Sequence, residues 1–138
     1  MKSLKNLEKS PNQIEILNKT KSKAPKVPFD VLRDEILGKK YVLSVAYVSP
    51  TEIKKINNAY RQKNESTNVL SITLDKITGE ILLCPEIIEK QKKDFGLNYQ
   101  KLTILLVIHA MLHLKGYVHG SNMDKIELRL RKKFLVSN

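Results

Sequence analysis

Val107-Ile108-His109-Ala110-Met111-Leu112-His113-Leu114-Lys115-Gly116-Tyr117-Val118-His119-Gly120 contains every histidine of this 138-residue chain. The spacing is H-x-x-x-H-x-x-G-x-x-H. On a helix, positions i and i+4 share one face, so His109 and His113 point at the same spot. Gly116 can take the left-handed conformation that ends a helix. The chain then turns back, and His119 can supply a third nitrogen from outside the helix. A lone histidine on an apolar helix is ordinarily a packed core residue, and a pair at i, i+4 arises by chance. Three out of three, with a glycine at the reversal, point to a metal. Three neutral imidazoles with one position left open make a catalytic zinc site, one ion per chain.

The same stretch sets the architecture. From Tyr99 to Lys115 the chain is nearly all apolar (Leu102, Leu105, Leu106, Met111, Leu112), which predicts a central helix buried on all sides. Working outward, Pro85 to Phe95 reads as a helix closed by Gly96. Ile126, Leu130 and Phe134 recur at steps of four and turn a last helix inward, with Ser121-Asn122-Met123-Asp124 as its capping signature. Upstream, Ser49-Pro50-Thr51-Glu52 is a helix start followed by Ile53, Ile56 and Tyr60. Phe29, Leu32, Ile36 and Leu37 recur at helical spacing and stop at Gly38. Strands are expected at 13–18, Tyr41–Val48, Val69–Thr73 and Glu80–Cys84, the last after a Thr78-Gly79 turn. The sum is one α/β (α+β) domain over residues 13–138. It has a small mixed four-stranded sheet, about five helices and a zincin-like central metal helix. Residues 1–12, rich in Lys, Asn and Ser, are expected to form a loose basic tail.

Composition fits a soluble globular protein, with 41% hydrophobic and 28% charged residues. No apolar run approaches the roughly 20 residues that span a bilayer. Residues 1–6 show no signal-peptide core. The single Cys84 excludes an internal disulfide and fits a reducing cytoplasm. Cys84, Met111 and Met123 are read as packing residues, and Asp124 as a helix-cap acid. Lysine and arginine outnumber aspartate and glutamate by 25 to 14, a net +11. That excess favours a polyanionic partner, nucleic acid ahead of a membrane surface. It is concentrated at the ends: residues 1–28 carry +5 and residues 121–138 carry +3, whereas 69–100 carry −1.

The histidine spacing also occurs in metzincin proteases, which place a general-base glutamate directly after the first histidine. Here that residue is Ala110, which moves no proton, so peptide hydrolysis by that route is disfavoured. Phosphodiester hydrolysis leans less on a protein base. A bound metal lowers the pKa of its water and neutralises charge on phosphate oxygens. The segment Tyr60-Arg61-Gln62-Lys63-Asn64-Glu65-Ser66-Thr67-Asn68-Val69-Leu70-Ser71 is a helix end, a polar loop and a strand start. Arg61 is one of four arginines (with Arg33, Arg129 and Arg131) in a chain that otherwise uses lysine. Two readings stand side by side: a planar fork for a phosphate, or a helix-terminal cation favoured by the dipole.

Three blocks then carry a resemblance to the YbeY family, bacterial rRNA-maturation endoribonucleases. Ile56 to Ser71 resembles the family's L-N-x-x-Y-R-x-K-D-x-x-T-[DN]-V-L-S block. Gly79 to Cys84 resembles its G-D-I-x-I-[SC] strand. His109 to His119 resembles its H-G-x-L-H-L-x-G-Y-D-H signature. The resemblance covers roughly residues 13–136 and implies a single α/β domain with a mixed sheet. By motif match it implies zinc held by His109, His113 and His119. It also makes Arg61 and His109 catalytic, and gives Lys63 and Ser71 contacts to RNA. The implied activity is single-strand-specific endonucleolytic cleavage in small-subunit rRNA 3′-end maturation and ribosome quality control. The implied partners are rRNA in the small ribosomal subunit and a ribosomal protein or GTPase, with no membrane. Four positions depart from the pattern: Ala110 for Gly, Val118 for Asp, Asn64 for Asp and Ile72 for Phe. Val118 removes an expected acidic neighbour of His119.

Overall fold

A computed structural model describes residues 14–135; the expected tail, residues 1–12, lies outside the described residues. The order is β1 (Glu15–Asn18), α1 (Phe29–Ile36), β2 (Val42–Tyr47), α2 (Pro50–Arg61), β3 (Val69–Asp75), β4 (Thr78–Leu83), α3 (Pro85–Phe95), α4 (Tyr99–Lys115) and α5 (Ser121–Phe134). The four strands form one sheet in the order β1-β2-β4-β3. β1 and β4 run parallel to β2, and β3 closes antiparallel on β4. The architecture is thus the mixed four-stranded α+β domain expected from the sequence.

α4 is the axis. Between its ends it is apolar apart from Thr103, His109 and His113, and its Leu102, Val107, Ile108 and Met111 are fully buried. It contacts α1, α3, α5, β3 and β4. The alternation of β2 puts Leu43, Val45 and Tyr47 on the α4 side of the sheet, joined there by Ile81 and Leu83 of β4. The opposite face carries Leu70, Ile72 and Leu82 under Ile53 and Ile56 of α2. Each large aliphatic side chain so buried contributes on the order of 1.5–3 kcal/mol. Cys84, Met111 and Met123 are core residues, as their sequence context implied. No single helix is long and apolar enough to cross a membrane.

Local signals mostly act as their chemistry dictates. The Glu52 N–H donates to Ser49 Oγ at 3.1 Å, and Pro50 opens α2. Asn98 caps α4 by accepting from the Lys101 N–H at 2.8 Å. Two expectations are corrected. Thr78 and Gly79 are not a turn but the first residues of β4; the reversal falls at Lys76 and Ile77, where Asp75 Oδ1 accepts from the Ile77 N–H at 3.0 Å. Gly79 is required there by close packing. A Cβ would collide with the Tyr41 hydroxyl and come within 2.9 Å of Leu114 Cδ2. Ser121 is likewise not a cap. α5 starts one residue earlier than the signature implied, with Gly120 at the cap, no side-chain cap bond, and the Asp124 N–H on the Gly120 carbonyl. The tight reversal that brings His119 back toward α4 uses up the residues before Ser121.

Candidate metal centre

His109 and His113 stand one turn apart on α4, half-buried on an otherwise buried helix. Their Nε2 atoms are 3.2 Å apart. Gly116 ends the helix at φ 112°, and the Tyr117 N–H closes the turn on the Leu112 carbonyl. The reversal places the exposed His119 ring 5.3 Å from that of His109 and 4.9 Å from that of His113. One ligating atom from each of the three lies within 4.8 Å of the others. The three histidines picked out by spacing are therefore one cluster.

The outer nitrogens fix which atoms face inward. His113 Nδ1 is 3.0 Å from the Tyr117 carbonyl oxygen, and His109 Nδ1 is 2.8 Å from a Glu127 carboxylate oxygen. Both oxygens only accept, so both Nδ1 atoms donate. A neutral imidazole has one N–H, which leaves each Nε2 as a bare lone pair directed at the other. Two lone pairs at 3.2 Å repel unless a cation lies between them. Hydrogen-bonded outer nitrogens and bare inner ones are the donor set that metal-binding histidines present, so these residues fit a metal ion.

Electrostatics act in the same sense. Burial, foremost, pushes the His113 imidazole below its ordinary pKa, and the neighbouring His109 and His119 add to this. The ring is thereby kept neutral, as a ligand must be. The hydrogen bond from His109, above all, holds the Glu127 carboxyl below the ordinary glutamate value, and Arg131 adds to it. No hydrogen bond reaches His119 among the described residues, and Val118 beside it is 77% exposed. The acidic neighbour that Val118 replaces is thus not supplied from elsewhere in the described chain.

The cluster opens into a cleft of about 680 Å³. α4 contributes Leu105, Leu106, His109, Ala110 and His113; α5 contributes Glu127 and Arg131; the segment Thr67–Ser71 and Arg61 form the facing side. That side is held by a set of short-range ties. Buried Asn57 donates to the Glu65 carbonyl at 3.0 Å, Ser66 Oγ to the Pro50 carbonyl at 3.0 Å, and Asn68 Nδ2 to Gln91 Oε1 of α3 at 2.7 Å. Arg61 is the last residue of α2 and lines the cleft, so its helix-terminal position also puts it at the site. Ser71 lines the cleft as well. Lys63 does not; it sits on the exposed turn after Gln62, whose left-handed backbone (φ 59°) ends α2.

Glu127, Arg131 and Phe95 belong to the cleft but were not singled out from the sequence. A signal existed for Glu127: it stands four residues after Met123 and three before Leu130, both buried, so an acid shares the inward stripe of α5.

A family profile described as Endoribonuclease YbeY matches residues 6–138. Similar proteins bearing that description include one from Thermosipho melanesiensis, 39% identical over 77% of this chain and 82% of its own length. One from Finegoldia magna is 34% identical over 74% and 71%. One from Bdellovibrio bacteriovorus is 32% identical over 80% and 83%. The chain belongs to the YbeY endoribonuclease family. The solution structure of a Thermotoga maritima protein superposes with a TM-score of 0.59 at 28% identity, covering 88% of each chain. In this YbeY-family chain, Ala110 is 2% exposed and lines the cleft beside His109, so its methyl group fits without displacing the ring from Glu127.

Proposed function

We propose that the protein is a metal-dependent endoribonuclease that cuts single-stranded RNA in the cytoplasm, acting on the 3′ end of small-subunit rRNA during ribosome maturation. The observation that carries this reading is that the three-histidine cluster and Arg61 share one cleft in a chain of charge +11. The family's description supports ribonuclease chemistry. Three imidazoles favour zinc or a late transition metal. When bound, such an ion supplies positive charge to phosphate oxygens and acidifies water near neutral pH.

The chain's own residues do the rest. Glu127 and the Tyr117 carbonyl hold the His109 and His113 rings so that both Nε2 atoms face the cleft. Arg61 offers a planar fork to the phosphodiester, and the Ser71 hydroxyl offers a further donor. Buried Leu105 and Leu106 keep one side of the cleft apolar, which strengthens the charge interactions beside them. Lys63, outside the cleft, serves the flanking backbone of the RNA. The rRNA is presented within the small subunit, with a ribosomal protein or GTPase as docking partner. Ala110 stands where a metzincin has its base, and Glu127 is engaged by His109, so peptide hydrolysis lacks its proton acceptor.

One observation favours a second reading, an RNA-binding module with a structural metal: His119 is exposed and has no hydrogen-bonded partner among the described residues. Incubating precursor small-subunit rRNA with the protein and with His109→Ala separates them. The enzyme reading expects trimming by the parent and none by the variant, with RNA binding retained. Equal processing by a folded His109→Ala protein would overturn it.

A further inference from the structure

Phe95 is the last residue of α3, where Gly96, at φ 64°, ends the helix. The chain has three phenylalanines. Phe29 is 5% exposed and Phe134 packs against the core, whereas Phe95 is 47% exposed. It belongs to neither hydrophobic cluster. A scattered exposed apolar residue is ordinary, but this one lines the metal-site cleft. With it in the cleft are Leu105 and Leu106, one turn (about 5.4 Å) before His109 on α4. The Asn68–Gln91 bond ties α3 to the start of β3 one turn before Phe95, so the ring's helix is fixed against the opposite wall. The cleft thus combines an exposed aromatic ring and two leucines with two arginines and the three histidines. A phosphate has no use for the apolar side chains. The flat face of an unpaired base does, and stacking on an aromatic ring is how single strands are held without sequence readout.

We propose that Phe95, which shares the cleft with Leu105 and Leu106, is the stacking platform for an unpaired nucleobase of the RNA strand next to the phosphate held by Arg61 and the histidine cluster. The inference rests on the endoribonuclease reading and names a subsite for it. It makes the enzyme prefer unpaired RNA, because a base held in a duplex stack cannot reach the ring.

The chain has no tryptophan, so Phe95→Trp places a single reporter at the platform. Its fluorescence is followed on rapid mixing with a short oligoadenylate, before cleavage, and with inorganic polyphosphate, which carries charge but no bases. Binding is measured in parallel by anisotropy. The expected result is strong quenching by oligoadenylate and none by polyphosphate. Phe95→Ala should raise KM for the oligomer at least about fivefold, with polyphosphate binding unchanged and Phe95→Tyr close to the parent. Unchanged tryptophan emission while the RNA is bound would overturn the proposal and leave the endoribonuclease reading standing. So would a Phe95→Ala enzyme with the parent's KM, or equal losses for RNA and polyphosphate. A parent protein that neither binds nor cuts RNA would overturn both.

Discussion

His109 of α4 and Glu127 of α5 lie 18 residues apart in sequence and meet at 2.8 Å, imidazole N–H to carboxylate. The bond ties the last helix to the central one and selects the tautomer that leaves His109 Nε2 free. Its consequence is measurable. Glu127→Gln keeps an oxygen acceptor without the charge; Glu127→Ala removes both. Zinc affinity, measured by competition with a chromophoric chelator, should fall about 10-fold for Gln and closer to 100-fold for Ala.

The pH dependence of the metal-free protein follows from the two shifted groups. His113 has its pKa lowered by burial, so between its folded value and the usual 6.5 the unfolded chain binds more protons. Stability is therefore complete above about pH 6.5 and falls as the pH drops below it. Glu127 is shifted below its usual 4.5, so the stability it contributes is present above that value. That share is lost as the pH falls through its folded pKa. Urea midpoints recorded from about pH 8 to about pH 3 should decline in this order. His113→Ala should flatten the upper part of the decline.

Arg61 and Lys63 should separate in their effects. Arg61→Ala should lower kcat/KM for single-stranded RNA by about 100-fold or more, the loss expected of a proposed fork on the phosphate being cut. Lys63→Ala should leave kcat near the parent's and reduce the slope of log binding constant against log salt by about 0.7, one backbone contact on a single strand. A large kcat loss in Lys63→Ala would move Lys63 into the cleft chemistry.

Gly79→Ala tests the fold apart from the site. With the Tyr41 hydroxyl and Leu114 in the way of a Cβ, overpacking should cost about 1–3 kcal/mol of stability in urea unfolding. Zinc affinity per folded chain should be unchanged.

These residues also show what the sequence makes legible. The i, i+4 histidines, the Gly116 stop and the Ser49 cap are local, and local periodicity and stereochemistry decide them. The strand order β1-β2-β4-β3 depends on contacts between distant segments, which periodicity does not report. Glu127 and Arg131 reach the cleft because α5 folds back on α4, and no spacing within the histidine motif encodes that. Gly79 looked like a turn residue because glycine has two uses, loose backbone and close approach. Only the position of Tyr41 tells them apart.

RNA cleavage should depend on an ion held by His109, His113 and His119. The most direct test is to titrate metal-free protein with zinc while following cleavage of a single-stranded RNA, using the parent and a folded His113→Ala variant. Cleavage should rise to a plateau at about one ion per parent chain, and the variant should bind weakly and not cut. A metal-free parent, or a His113→Ala protein without bound ion, that cuts at the parent's full rate would contradict that dependence.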